Sequence, residues 1–217
     1  MIVNERIVTY LHALESDNLP YLEELEKYAR ENYVPIIRKE MESFLKVLIQ
    51  MKQPKSILEV GTAIGYSALF MSECMPKDCH ITTIENYEKR ISIAKENFIK
   101  YKKEDKITLL EGDAMELLPQ LEGSFDFVFM DAAKGQYIHF LPELIRLLVP
   151  GGILLSDNVL QEGDIIESRY VVARRDRTIH SRMREYLYEL KHSTQFCTSI
   201  IPIGDGASLS IKIGGAK

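Results

Sequence analysis

The chain has 217 residues, 46% apolar and 27% charged, a globular rather than disordered composition of a length that fits one large domain. Its 27 Lys and Arg face 32 Asp and Glu, a net charge of −5, which excludes a protein that coats nucleic acid without specificity but allows a local basic patch. The three cysteines, Cys74, Cys79 and Cys197, lack a Cys-x-x-Cys spacing and suggest neither a disulfide frame nor a structural zinc site.

The first fifty residues read as helices. Val3, Ile7, Leu11 and Leu14 recur at helical spacing. Asp17 or Asn18 can cap a second helix over about 19–32. Pro35 is expected to open a third, with Ile36, Phe44, Leu45 and Leu48 as its apolar face and Pro54 beyond its end. Residues 1–53 thus form a helical region, and 54–217 an α/β core within the same domain. Glu5 and Arg6 break the N-terminal apolar pattern, unlike a signal peptide. No apolar run reaches the ~18 residues of a membrane span, so a cytoplasmic location away from membranes is expected.

From Ser56 the pattern alternates. Strands are predicted at 56–60, 80–84, 107–110, 125–130 and 152–155, with helices at 66–75, 87–100, 114–121 and 136–148 between them. Such alternation argues for a parallel sheet covered on both faces. A long charged helix is expected over 164–192. Apolar runs at 196–203 and 207–213, joined by Gly204-Asp205-Gly206, predict a closing antiparallel pair.

Gly61-Thr62-Ala63-Ile64-Gly65 joins the first strand to a helix. Glycine lets backbone approach a ligand, and a helix N-terminus favours an anion. The Gly-x-x-x-Gly spacing matches neither a nicotinamide-binding fingerprint nor a P-loop. Glu85 closes the second strand, where an acid can hold two ribose hydroxyls; the alternative is a cap for the next helix. Asp113-Ala114 follows the third strand and can meet an adenine, cap a helix, or both. Ribose, base and an amino-acid-like anion together suggest S-adenosylmethionine (SAM).

Asp131 closes the fourth strand and Asp157-Asn158 the fifth. Ligands of open α/β sheets sit beyond the carboxyl ends of strands, so three oxygen ligands converge there, a set suited to Mg²⁺; singly, each would serve as a loop or helix cap. Lys134 is a candidate general base or a solvated loop lysine. The five histidines show no ligand spacing and read as structural or surface residues. Arg169, Arg174, Arg175, Arg177, Arg182 and Arg184 crowd one stretch with only Asp176 opposing them. That patch suits phosphates, and Tyr170, Tyr186 or Tyr188 can stack on a base; otherwise the stretch is a solvated amphipathic helix with its tyrosines in the core or a dimer interface.

Glu-Val-Gly-Thr-Ala-Ile-Gly-Tyr-Ser at 59–67, Asp-Ala-Ala-Lys-Gly-Gln-Tyr at 131–137 and Ser-Asp-Asn-Val at 156–159 resemble the cation-dependent O-methyltransferases, which include the catechol and caffeoyl-CoA enzymes. The likeness runs from Val34-Pro35-Ile36 to Ile201–Gly206. It is greatest to the bacterial enzymes that methylate 5-hydroxyuridine at the tRNA wobble position. The resemblance implies a class I, Rossmann-like SAM-dependent methyltransferase fold with seven strands, the last reversed, in a homodimer. It implies SAM contacts at Ile37, Gly61, Ser67, Glu85, Asp113, Ala114 and Asp131. It puts a divalent cation such as Mg²⁺ on Asp131, Asp157 and Asn158, and catalysis on Lys134 with Asp131. A tRNA anticodon loop, not DNA, is the implied partner, with Arg38, Arg174, Arg175 and Arg177 as contacts. The alternative acceptors are small catechols or phenolic CoA esters. Catechol enzymes of the family wall their pocket with tryptophan, and this chain has none.

Overall fold

The computed structural model of the protein describes residues 2–214. Helix α1 (Glu5–Leu14) begins at Asn4, whose side chain accepts the Arg6 N–H at 2.9 Å and satisfies a first-turn donor. Helix α2 (Pro20–Glu31) has its proline in the first turn, where a missing N–H costs nothing. Helix α3 (Lys39–Lys52) starts later than Pro35 suggests. Proline drives the residue before it to extended backbone. Val34–Arg38 stays non-helical; Pro35–Arg38 wall a cleft, and Ile37 among them is also buried against the core.

The alternating half follows the expected order: β1 (Ser56–Val60), α4 (Tyr66–Cys74), β2 (His80–Glu85), α5 (Glu88–Lys100), β3 (Ile107–Glu111), α6 (Ala114–Leu117), β4 (Phe125–Met130), α7 (Tyr137–Leu147) and β5 (Leu148–Ser156). Helix α6 is a single turn, because Pro119 steers the chain into a 3-10 turn at Leu118–Gln120. Strand β5 begins before Pro150-Gly151-Gly152, which it absorbs as a register shift opposite Phe125–Phe127.

The long helix expected over 164–192 is not continuous. Helix α8 covers only Arg177–His192. Residues 167–176 run instead through turns, with the Val171 N–H donating to the Ser168 carbonyl and the Asp176 N–H to the Ala173 carbonyl in place of helical bonds. Strands β6 (Phe196–Ile201) and β7 (Ala207–Lys212) complete the sheet.

The strand order is β3-β2-β1-β4-β5-β7-β6, and β7 alone runs against the others. Apolar side chains alternate across it. Ile57, Phe127, Phe129 and Leu155 pack beneath α2–α5, whereas Leu58, Val60, Val128, Met130 and Leu154 pack beneath α7 and α8. This burial of both faces is what makes the parallel strands near-continuously apolar. Register positions the site. Val60 lies opposite Ile84 and Met130, and Met130 opposite Ser156. The next residues, Gly61, Glu85, Asp131 and Asp157, therefore stand abreast at one edge. No described helix is long and apolar enough to cross a membrane.

Candidate active site

A cleft of about 740 Å³ opens at that edge. Every predicted cofactor residue reaches it: Ile37 and Gly61, Ser67 and Glu85, Asp113 and Ala114, with Asp131. The glycine loop is pinned by Gly61 and Thr62 N–H groups donating to Ile84 O at 3.0 and 3.2 Å. Gly61 has φ +105°, and a Cβ there would lie 2.1 Å from the Asp131 carbonyl oxygen. Only glycine lets β1's exit press this closely on β4.

Glu85 is held rigidly. Its carboxylate accepts the N–H groups of Ala63, Asn86 and Tyr87 at 2.8, 3.1 and 2.9 Å, so it both caps local backbone and walls the cleft. Asp113 likewise caps α6 through the Met115 N–H at 2.8 Å while facing the cleft. Ser67 donates to Glu59, which also accepts from Thr83. Glu59 is fully buried. Burial pushes its carboxyl up to about 7, against the lowering effect of the two hydroxyls. Sequence reasoning gave Glu59 no role of its own; its signals were its place at the head of the 59–67 motif and an acid inside an apolar strand.

Asp131, Asp157 and Asn158 line the same cleft, next to Lys134. Asp157 is 4% exposed and accepts the Asn158 N–H at 2.7 Å. Burial, then the Asp131 charge, raises its carboxyl to about 7. Burial also raises Asp131, and the Lys134 ammonium pulls it back. Among the described residues neither carboxylate is ion-paired. No cluster of three or more His, Cys, Asp or Glu that would hold a metal forms among them; the predicted set is two carboxylates and an amide. Two unpaired, mutually repelling carboxylates in the same cleft as an amide side chain nevertheless fit a hard dication, which would remove the penalty both pay.

Two residues that sequence reasoning passed over shape this corner. The buried Tyr137 hydroxyl lies 3.2 Å from both the Met130 and the Asp157 carbonyl oxygens, bridging the ends of β4 and β5. Asp205, read only as a turn signal, is 6% exposed, holds the Glu162 N–H, and has a carboxylate oxygen 3.7 Å from Lys134 Nζ.

The basic stretch divides. Arg169, Arg174 and Arg175 are exposed. Arg177 donates to Val172 and Tyr170 carbonyls, Arg182 to Gly135 and Arg184 to Ile165, so these three brace the fold. Arg38 lies at the cleft, 3.8 Å from Glu162. Tyr170 is 84% exposed. Tyr186 is not available for stacking on a base: it is fully buried and hydrogen-bonded to Ser156. Tyr188 stacks on His192.

The sequence matches the O-methyltransferase family over residues 12–213. The chain belongs to that family. It is 30% identical over 185 residues to caffeoyl-CoA O-methyltransferase 1 of Eucalyptus globulus, covering 78% of this chain and 72% of that one. It is 34% identical over 128 residues to a catechol O-methyltransferase of Niastella koreensis, a match that spans 57% of this chain and 58% of the relative's length. The crystal structure of an S-adenosylhomocysteine-bound methyltransferase from Podospora anserina superposes with a TM-score of 0.87 at 26% identity, covering 98% of this chain and 97% of that one. By family and fold, this O-methyltransferase is SAM-dependent and of the catechol and caffeoyl-CoA type.

Proposed function

We propose that this O-methyltransferase is cation-dependent and methylates 5-hydroxyuridine at the tRNA wobble position to 5-methoxyuridine, acting as a cytoplasmic homodimer. The observation that carries the cation dependence is the unpaired pair of carboxylates, Asp131 and Asp157, buried beside Asn158 and Lys134. When bound, SAM supplies an electrophilic methyl group, and a divalent cation lowers the pKa of a hydroxyl and favours acceptors with a neighbouring oxygen.

The chain's own residues do the rest. Glu85 presents a fixed carboxylate to ribose hydroxyls. Asp113 and Ala114 bound the base, and the Gly61 loop admits the amino-acid end of the donor. With a dication held beside it, Lys134 would favour its neutral amine, whose Nζ would then take the acceptor proton, and Asp205, 3.7 Å away, keeps that group in place. Because displacement at the methyl carbon needs an in-line approach, alignment by these walls supplies much of the catalysis.

Exposed Arg169, Arg174 and Arg175 beside exposed Tyr170 favour an RNA acceptor, with Arg38 at the cleft rim. An anticodon base is already partly unpaired, so extruding it costs little. The names of the plant and bacterial relatives favour a second reading, a small catechol or a phenolic CoA ester. Incubation with labelled SAM and either 5-hydroxyuridine-containing tRNA or catechols separates them. Label in tRNA is expected, together with 5-hydroxyuridine accumulating in a strain that lacks the protein. Label in catechols alone overturns the tRNA reading.

A further inference from the structure

Outside the cleft, a second cavity of about 350 Å³ lies between Glu167–Arg169 and the first turns of α8. Ser168, Arg169, His180, Ser181 and Arg184 wall it, with Glu167 on one side. His180 is 2% exposed, and neither of its ring nitrogens has a hydrogen-bond partner among the described residues. At least one of those nitrogens carries a proton in either tautomer. A buried donor left unmet costs about 1–3 kcal/mol, and an orphan of this kind in a native fold calls for a group that fills it. Packing alone does not explain it. His180 shares its helix face with buried Met183 and Leu187, and an apolar residue would pack there without the cost.

The other groups around the imidazole are donors. Arg184 is anchored by one bond to the Ile165 carbonyl at 3.0 Å, which leaves most of its five N–H donors free. Arg169 forms no ion pair among the described residues. Ser168 accepts the Tyr170 N–H at 3.4 Å, so its hydroxyl proton remains available, and Ser181 supplies a second hydroxyl. Two guanidinium groups, two hydroxyls and an imidazole N–H match a tetrahedral oxyanion. The opposing charge is Glu167, exposed at the side of the cavity.

The cavity is tied to the cleft. Arg182, next to Ser181 on α8, donates to the Gly135 carbonyl at 3.1 Å, and Gly135 follows Lys134. We propose that this cavity binds a phosphate group, and that in the working enzyme the phosphate belongs to the methyl acceptor. The second half rests on the function proposed above; the first does not.

The test follows the His180 ring resonances of the full-length protein labelled with ¹⁵N-histidine during titration with inorganic phosphate, against chloride at equal ionic strength. A saturable shift specific to phosphate is expected. Arg169→Gln should weaken it at least five-fold and Glu167→Gln should strengthen it two- to three-fold; both side chains are exposed, so the fold is retained. No saturable shift, or one unchanged in Arg169→Gln, overturns the site. Phosphate is then challenged with an anticodon stem-loop RNA or with coenzyme A. Displacement by the RNA supports the full proposal. Displacement by coenzyme A alone keeps the site and the acceptor phosphate but overturns the tRNA reading. Displacement by neither overturns the link to the acceptor. If the RNA displaces phosphate yet tRNA is never methylated, the proposed function fails while the site stands.

Discussion

Replacing Gly61 by Ala should damage both stability and donor binding, and the size follows from two separable costs. At φ +105° an L-residue is strained, by about 1–3 kcal/mol. Its Cβ would also sit 2.1 Å from the Asp131 carbonyl oxygen. Both atoms are fixed to backbone, so no rotamer relieves the overlap, and overpacking of this kind costs about 1–3 kcal/mol more. The total, about 4 kcal/mol, corresponds to a fall in Tm of about 8–16 °C for a domain of this size. Gly123→Ala is the control: φ is +97°, but nothing lies within 4 Å of its Cβ position, so it carries the strain without the overlap. Differential scanning calorimetry of both variants, with SAM titrations, reads the difference. Equal Tm losses in the two variants, with SAM affinity unchanged in Gly61→Ala, would refute the account of the loop pressing on β4.

Other outcomes follow from the same corner of the molecule. The Asp157 carboxyl titrates near 7 in the fold and near 3.8 as a free side chain, and Asp131 is also raised. The native protein therefore holds more protons than the unfolded chain between these values, and metal-free stability should fall as pH rises through that window. Mg²⁺ should raise Tm at pH 8 and little at pH 5; an equal effect at both would contradict the carboxylate site. Tyr137→Phe removes the hydroxyl between the Met130 and Asp157 carbonyls; a loss of about 1–2 kcal/mol in urea unfolding is expected, and calorimetric titration should show weaker Mg²⁺ binding with SAM binding intact. Replacing Arg174 and Arg175 together by Ala should weaken tRNA methylation and flatten its salt dependence by about two units of slope, and an unaltered slope would remove these arginines from the RNA surface.

Strands β1, β2 and β4 were legible because burial on two faces imposes long apolar runs, and their ends carried the acids that now stand abreast. Helix boundaries were less so. Pro35 has the same local signature at a helix start as in the extended Val34–Arg38 segment, and the choice is made by Ile37 finding the core. The charged stretch over 164–192 reads as one helix because composition does not show that 167–176 closes into successive turns before α8 begins. Asp205, Tyr137 and Glu59 fall within the quoted segments, but nothing in those segments assigned them a role: what they do depends on which strand ends become neighbours. For Tyr186 the sequence left base stacking and a core position open, and α8 decides for the core by laying it on the sheet. That Asp131, Asp157 and Asn158 would gather was legible because they fall at adjacent strand ends, a property of order along the chain.

Strand β7 is the last of the seven to be synthesised, yet it inserts between β5 and β6. While the chain grows from the ribosome, β5 therefore waits with an unpaired edge until residues 207–212 emerge, and β6 has no neighbour at all. Pairing that spans so much chain is slow to form and leaves edges exposed to aggregation. The loop that feeds β7 also delivers Asp205 to Lys134, so this corner of the candidate site is complete only once the closing pair of strands has been made.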